Sequence, residues 1–511
     1  MKKIFLGILF LLVLLAILIV LRTMIYPFSQ PQVTTSLPEK FPISDTSLMR
    51  FAGGIRIPSV SNADYNHFNY GPIMEFDTYL RHQYPRVYAG TENDTINQYG
   101  LVFHWKGRNA ALKPIIFLSH YDVVPPGEYT GTDSGQVVFS PRDQALPPIT
   151  QVPTRWELYP FSGAVMNGRI YGRGTLDMKS MLFAVMESVD HLIAQGFVPE
   201  RDIYLAFGFD EEVGGTEGAL KIATYFKEKG ITFDAVYDEG GIVSAAGSLP
   251  GINAPVALIG CAEKGFWSAR VRVKGLGGHS SMPPLQSAIG KAAVIMQRLE
   301  TEQMKPMLIP LIDQFFTNVG GMMDFKSKMA IANRWLFKGV LLNTLQDNNT
   351  TNALIRTTTA LTMMKGSDAS NVLSPVVEFT VNFRILPGNT VEDVKLHLER
   401  ACRGFDVEIV NVGAPREPSH VSSTDAQGYR VMERTIRQYF PGAIVTPYLT
   451  IGGTDAYKYE IVSDHVYRFL PVMINNYEQQ SIHNDNEYIS IDNFSRMIQY
   501  FETMMKDYDK Q

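Results

Sequence analysis

Two near-continuous apolar runs, 114–119 and 203–209, stop abruptly at polar, metal-capable residues, and they constrain the fold more than any other feature of the chain. Such short runs fit strands buried on both faces of a sheet. His120 follows the first run and Asp210-Glu211-Glu212 the second. Between them, Leu182, Val185, Met186, Val189, Leu192 and Ile193 recur at helical spacing over 179–195, and Gly196 supplies a stop. A second helix is expected over 218–229, closed by Gly230, and a third strand over 233–237 that ends at Asp238-Glu239. Strand, helix, strand, helix, strand is the pattern of a mostly parallel α/β sheet covered by helices.

The texture changes near Lys264. Val377, Phe379, Val381 and Phe383 alternate with Glu378, Thr380, Asn382 and Arg384, as does the stretch 266–274, so these strands have one wet face and belong to an antiparallel sheet. Helices fit 286–299 and 391–402, with a further strand at 407–412. The expected organisation is a catalytic part over 44–263, an inserted α+β lid over 264–417, and a return to α/β over 418–511. In that return a helix fits 426–439, a loop carries Ile451-Gly-Gly-Thr-Asp455, a strand fits 467–470, and a terminal helix starts at Ile491. The stretch 301–352, rich in Met, Phe and Asn, fits no periodic template.

Ahead of these parts, Lys2-Lys3 precede an uncharged apolar run from Ile4 to Leu21, followed by Arg22 and a Pro-containing polar linker over 25–43. Eighteen helical residues extend about 27 Å, close to the hydrocarbon thickness of a bilayer. No small-residue cleavage site follows the run, so residues 1–24 are expected to be a retained single-pass anchor, with a secreted form after signal cleavage as the alternative. The paired lysines place the N-terminus in the cytoplasm and the large C-terminal part outside it.

The chain of 511 residues is 45 % hydrophobic and 19 % charged, with a formal net charge of -5, which suits a globular protein and leaves no basic footprint for nucleic acid. Only Cys261 and Cys402 are present, too few for a thiolate metal site. Any metal must sit on imidazole and carboxylate, a donor set that suits zinc, cobalt or manganese. The candidates are clear: His120 and Asp122 after one strand, Asp177 in a glycine-rich loop, Glu211-Glu212 after the next, and Asp238-Glu239 after the third. Ligands of open parallel sheets gather at the carboxyl ends of the strands, where all of these residues fall. Adjacent carboxylates can divide the labour of a metal hydrolase, one ligating and one moving a proton, although on its own this pair reads equally well as a solvated acidic loop.

Read in order, SHYDVVP at 119–125, GRGTLDMK at 172–179, DEEVGG at 210–215, DEGG at 238–241, GHSS at 278–281 and Ile482-His483 resemble the motif series of the aminoacylase and carboxypeptidase family of di-zinc exopeptidases. The stretches 352–362 and 381–388 are similar to the branch with carboxypeptidase S and N-fatty-acyl amino acid hydrolase/synthases. The resemblance implies a zinc-exopeptidase sheet with an inserted lid that also dimerises, and two zinc ions per subunit. Asp177 would bridge them, with His120 and Glu239 completing one site and Glu212 and His483 the other. Relatives place a glutamate at the third strand end, which favours Glu239 over Asp238. Glu211 would act as general base, and Asp122 would orient His120. A cis peptide is implied at Asp177-Met178.

The lid would supply His279 to the oxyanion, across a dimer interface in dimeric relatives. Asn371 and Arg384, read as lying on the polar face of an alternating strand, would hold the substrate's carbonyl and carboxylate, and Gly452, Gly453 and Thr454 would line the carboxylate pocket. The implied reaction is hydrolysis of the amide before a C-terminal amino acid with a free carboxylate, in a short peptide or N-acyl amino acid. Rivals are a specialist N-fatty-acyl amino acid hydrolase/synthase, a non-catalytic membrane-tethered binding protein of the same fold, and an aminopeptidase, which would need an acid in place of Arg384.

Overall fold

The computed structural model describes residues 2–28, 43–131 and 137–510. Most of the expected linker, and residues 132–136, lie outside them. A ten-stranded sheet forms the large body, in the order Glu92–Ile96, Gly100–Trp105, Ile203–Gly208, Ile115–His120, Ala235–Asp238, Val466–Arg468, Val256–Glu263, Val243–Ser244 and Met473–Ile474, with Ile444–Thr450 also paired to Val256–Glu263. Its centre is parallel: Ile115–His120 lies between Ile203–Gly208 and Ala235–Asp238, and every residue of these three strands is buried. The edge pair Glu92–Ile96 and Gly100–Trp105 is antiparallel and half wet.

Helices cover both faces, as the apolar strands require. Lys179–Ala194 is buried along nearly its whole length and packs on the terminal helix Ile491–Asp507, while Ala219–Glu228 covers the opposite face. A separate four-stranded antiparallel sheet runs Thr358–Lys365, Val376–Ile385, Gly265–Lys274 and Val407–Asn411. Its inward residues Trp267, Val271, Phe379, Val381 and Phe383 pack under the helices Ala288–Thr301 and Val391–Cys402 as a second core. Both cysteines are buried free thiols.

The stretch that defied periodicity is helical. It forms Pro310–Val319, Phe325–Ala332, Arg334–Gln346 and Asn349–Ile355, a run of separate helices broken by their own caps, so that no single period extends across the stretch. Asp324 accepts from the backbone N–H of Lys326 and Ser327, and Asn348 from those of Thr350 and Thr351. Ile312, Phe315, Phe316 and Val319 join the core of the large sheet, so residues 264–417 contribute to two cores. The N-terminal helix Lys2–Ile25 is long and apolar enough to cross a membrane, a property signal sequences share.

Candidate active site

Three parallel strand ends and two loops converge at one point above the large sheet. His120 is the last residue of its strand, where burial on both sides leaves its ring a single polar exit. Its Nδ1 lies 3.0 Å from the Asp122 carbonyl oxygen and 3.3 Å from Asp122 Oδ1, an arrangement that turns Nε2 toward the cleft. Nε2 then stands 3.1 Å from Asp177 Oδ1 and 3.2 Å from Glu239 Oε1. Glu239, and not its neighbour Asp238, faces the histidine; Asp238 Oδ2 is buried without a hydrogen-bond partner. On the other side of Asp177, His483 Nε2 lies 2.9 Å from Asp177 Oδ2 and 3.1 Å from Glu212 Oε2.

Among the described residues three groups could hold a cation, and two of them, His120-Asp177-Glu239 and Asp177-Glu212-His483, share one aspartate. Each offers one imidazole and two carboxylates, which fits a hard-to-borderline divalent cation. Glu211 lies in the third group, with His120 and Glu212, and its Oε2 is 3.9 Å from His120 Nε2. The peptide Asp177-Met178 is cis, as the resemblance implies. His483 adopts φ +60°, a left-handed conformation costing about 1–2 kcal/mol for a residue with a Cβ, and it lies in the loop that turns its ring toward Asp177.

Local chemistry holds each donor in place. Asp122 is fully buried, and its two carboxylate oxygens accept the backbone N–H of Glu211 at 3.0 Å and of Glu212 at 3.1 Å. Glu211–Val213 forms a single tight turn after the strand, ending at Gly214 and Gly215. Gly215 has φ +60°, and a Cβ there would meet Asp455 Oδ1 at 2.2 Å, so the turn closes directly over the buried Asp455-Lys458 pair.

Two further groups support the site, and the first of them carries no local sequence signal. Glu487 is completely buried and accepts from Arg173 Nη1 at 2.6 Å and from the backbone N–H of Gly174, Leu176 and Asp177 at 2.7–3.1 Å. It thereby fixes the loop that carries Asp177 from a position far away in sequence. Lys179, also fully buried, donates to the carbonyls of Gly54 and Ile57 at 3.1 and 2.7 Å and pins the helix that follows.

The electrostatics match a cation site. Burial works against ionisation of Asp177, but hydrogen bonds from His120 and His483 outweigh it and hold the carboxyl well below the usual range. Hydrogen bonds to Asp177 and Glu212 raise His483 to about 10. Burial opposes the proton on His120, yet Asp122, Asp177 and Glu239 together push its pKa well up. Burial is the first cause lifting Glu211, with Asp455 and Glu239 adding to it against His120. Protonated imidazoles therefore balance the carboxylates where cations would otherwise do so.

A second polar corner lies where the two sheets meet. Arg384 pairs in register with Phe266 and stacks its guanidinium over that ring at 4.9 Å; among the described residues no carboxylate forms an ion pair with it. The neighbouring Arg416 depresses its pKa further, after burial. Arg416 itself donates to the Lys264 carbonyl at 2.9 Å and reaches Glu263 at 3.3 Å, a group that sequence reading missed. Thr454 donates to Glu263 Oε1 at 2.6 Å, while Gly452 and Gly453 are exposed in the same loop.

His279 and Asn371 stand apart. His279 pairs with Val372 in the two-residue ribbon Gly278–His279 with Val372–Leu373, and Asn371 immediately precedes that ribbon, in a turn instead of on the alternating strand as read from the sequence. Both are exposed, and among the described residues no hydrogen bond joins them to the triads. Ser281 donates its backbone N–H to His279 Nδ1 at 3.1 Å, which leaves Nε2 to carry the ring proton.

Comparison with known proteins decides the family. A model of peptidase family M20/M25/M40 matches residues 145–507, beginning after His120 and Asp122 and covering more than half of the chain. The chain belongs to that family. It is 32 % identical over 502 residues to a probable carboxypeptidase S-like 2 of Dictyostelium discoideum, covering 97 % of this chain and 92 % of the relative. It is 34 % identical over 461 residues to the N-fatty-acyl-amino acid synthase/hydrolase PM20D1 of Xenopus tropicalis, covering 89 % and 85 %. The fold resembles an M20 family metallo-carboxypeptidase, Sso-CP2 of Sulfolobus solfataricus, with a TM-score of 0.63 at 19 % identity over 90 % of this chain and 99 % of that one. The protein is thus a metallohydrolase of the M20 family.

Proposed function

We propose that this M20 enzyme hydrolyses the amide bond preceding a C-terminal amino acid with a free carboxylate, in an N-acyl amino acid or short peptide. The observation that carries the reading is the pair of triads sharing Asp177, with the Glu211 carboxylate beside them, 3.9 Å from His120 Nε2. Asp177 would bridge two divalent cations, zinc by preference, with His120 and Glu239 on one and Glu212 and His483 on the other. When bound, the cations supply Lewis acidity to the scissile carbonyl and acidify water.

The chain's own groups perform the rest. Glu211 takes a proton from the attacking water as the C–O bond forms, then delivers it to the nitrogen as the C–N bond breaks, leaving a carboxylic acid and a free amine. Arg384, backed by Arg416 and by the Gly452-Gly453-Thr454 loop, would hold the substrate carboxylate. His279 and Asn371, standing exposed on their ribbon, would reach the oxyanion and carbonyl of a neighbouring subunit's substrate in a homodimer formed through the lid. Asp122 positions both His120 and the Glu211-Glu212 turn. An aminopeptidase has no use for an arginine corner, and the intact Glu211 argues against a purely binding role.

The N-terminal helix supports a retained single-pass anchor with the catalytic part outside the cytoplasm. The resemblance to PM20D1 favours a second reading in which the acyl group is a fatty chain. Release of amino acid from a panel of N-fatty-acyl amino acids and acylated dipeptides separates the two. The test of the mechanism is Glu211→Gln: the metal content should stay at two per chain while turnover falls about 10²–10⁴-fold. Unchanged turnover with metal bound would sink it.

A further inference from the structure

The insertion helices take no part in the triads, yet they hold the N-terminal helix in a built socket. Arg22 Nε donates to the Ala332 carbonyl at 2.9 Å. Asn333, fully buried, donates through Nδ2 to the Ile19 carbonyl at 3.2 Å and to Thr23 Oγ1 at 3.0 Å. Arg334 donates to the Tyr26 hydroxyl at 2.8 Å, and the Phe28 ring fills the space over Gly320, where a Cβ would come within 2.6 Å of it. The N-terminal helix packs on Phe325–Ala332 along one face: Leu15 and Ile19 are half-buried and Thr23 is buried, each four residues from the next, while the apolar side chains around them are exposed.

That overlap fixes a depth. From Leu15 to Thr23 the helix rises about 12 Å, and its uncharged run extends to Leu21. If the run fills the hydrocarbon of a bilayer, whatever covers Leu15 and Ile19 lies at the level of the acyl chains and headgroups. The outer surface of Phe325–Ala332 and of the helix that follows it, Arg334–Gln346, suits that neighbourhood. Phe325, Trp335, Leu336 and Val340 are 53, 57, 44 and 61 % exposed, with the ammonium groups of Lys326 and Lys338 exposed among them. Apolar and aromatic side chains interleaved with lysines describe a surface that sinks into the headgroup boundary while its cations reach the phosphates.

We propose that Phe325–Ala332 and Arg334–Gln346 form a membrane-docking platform seated in one leaflet of a phospholipid bilayer beside the N-terminal helix. The proposal rests on the reading of that helix as a retained anchor. It makes the anchor a rigid mount instead of a flexible tether. Helix Pro310–Val319 then connects the platform to strand Ile444–Thr450, so the catalytic body is held at a set height over the leaflet.

Tryptophan reports on this directly, because Trp105, Trp156 and Trp267 are at most 6 % exposed and Trp335 alone faces outward. The full chain would be placed in nanodiscs of phosphatidylcholine and phosphatidylserine with or without brominated acyl chains, and compared with Trp335→Phe. Retention of the protein after alkaline washing of matched vesicles reads anchor insertion independently. The expected result is retention of both proteins, with quenching by brominated lipid at least twofold stronger in the wild type than in Trp335→Phe. Retention with equal quenching overturns the platform and leaves the anchor standing. Loss of both proteins in the wash overturns the anchor and the platform with it. Val340→Cys crosslinking between copies without lipid quenching would assign the face to self-association and overturn the proposal.

Discussion

Asp122 positions three groups with one carboxylate, because its oxygens accept two consecutive backbone N–H groups while its backbone and side chain both face His120 Nδ1. Asp122→Asn keeps the volume but turns one acceptor into a donor against a donor. We expect metal affinity to fall about 10–100-fold, read by competition with a chelator; unchanged affinity would remove Asp122 from the positioning role. His483 yields a proton prediction with a definite sign. Its pKa of about 10 means that the metal-free protein carries an imidazolium at pH 8, and ligation requires the neutral ring. Metal uptake at pH 8 should therefore release at least one proton, so heats in two buffers of different ionisation enthalpy must differ, and this contribution should vanish above pH 10. Equal heats at pH 8 would contradict it. The candidate ligands were legible because each ends an apolar run or sits in a motif. Glu487 was not, since its partners are more than three hundred residues away and only burial makes it matter.

At the scale of elements, period-2 and period-3.6 patterns located the strands and long helices to within a few residues, because each has one environment along its length. The insertion failed that reading for a physical reason: Asp324, Asn333 and Asn348 interrupt it every few turns, and its helices face protein, solvent and the N-terminal helix in succession. Lys264 ties this insertion to the sheets. Its buried ammonium donates to the carbonyls of Ala353 and Arg356 at 2.9 and 2.8 Å, and burial, with Arg384 adding, lowers its pKa to about 7. The unfolded chain then binds more protons than the folded one between that value and the ordinary lysine pKa of 10.5, so this site's contribution to stability rises with pH across the window. Lys264→Met should abolish the rise. Relative to wild type, the variant should lose about 1–2 kcal/mol between pH 7 and pH 9 in denaturant titrations. A constant difference across that range would show that the ammonium is not desolvated in solution.

Among the described residues the apolar side chains form three clusters, two on the large sheet and one under the antiparallel sheet, and the candidate metal ligands sit with the large sheet. His120, Asp177, Glu212, Glu239 and His483 all issue from the large sheet and its loops, whereas the antiparallel sheet packs around Trp267, Phe379, Val381 and Phe383 with none of them. Cations that bind the folded large body alone stabilise it by mass action, by about 4 kcal/mol for each site held at a thousandfold excess over its dissociation constant. Removing them also returns the clustered carboxylates to mutual repulsion, where burial and then the Asp177 charge push the Glu212 and Glu239 carboxyls upward. Chelation should therefore act unevenly. Hydrogen exchange is expected to accelerate along Ile203–Gly208 and Ala235–Asp238, where global opening of the large body exposes the amides. Along Val376–Ile385 and Gly265–Lys274, which have their own core, the rates should stay within a factor of about three, since their opening need not breach the metal site. Equal acceleration in both sheets would mean that they unfold as one unit and that the lid has no independent stability.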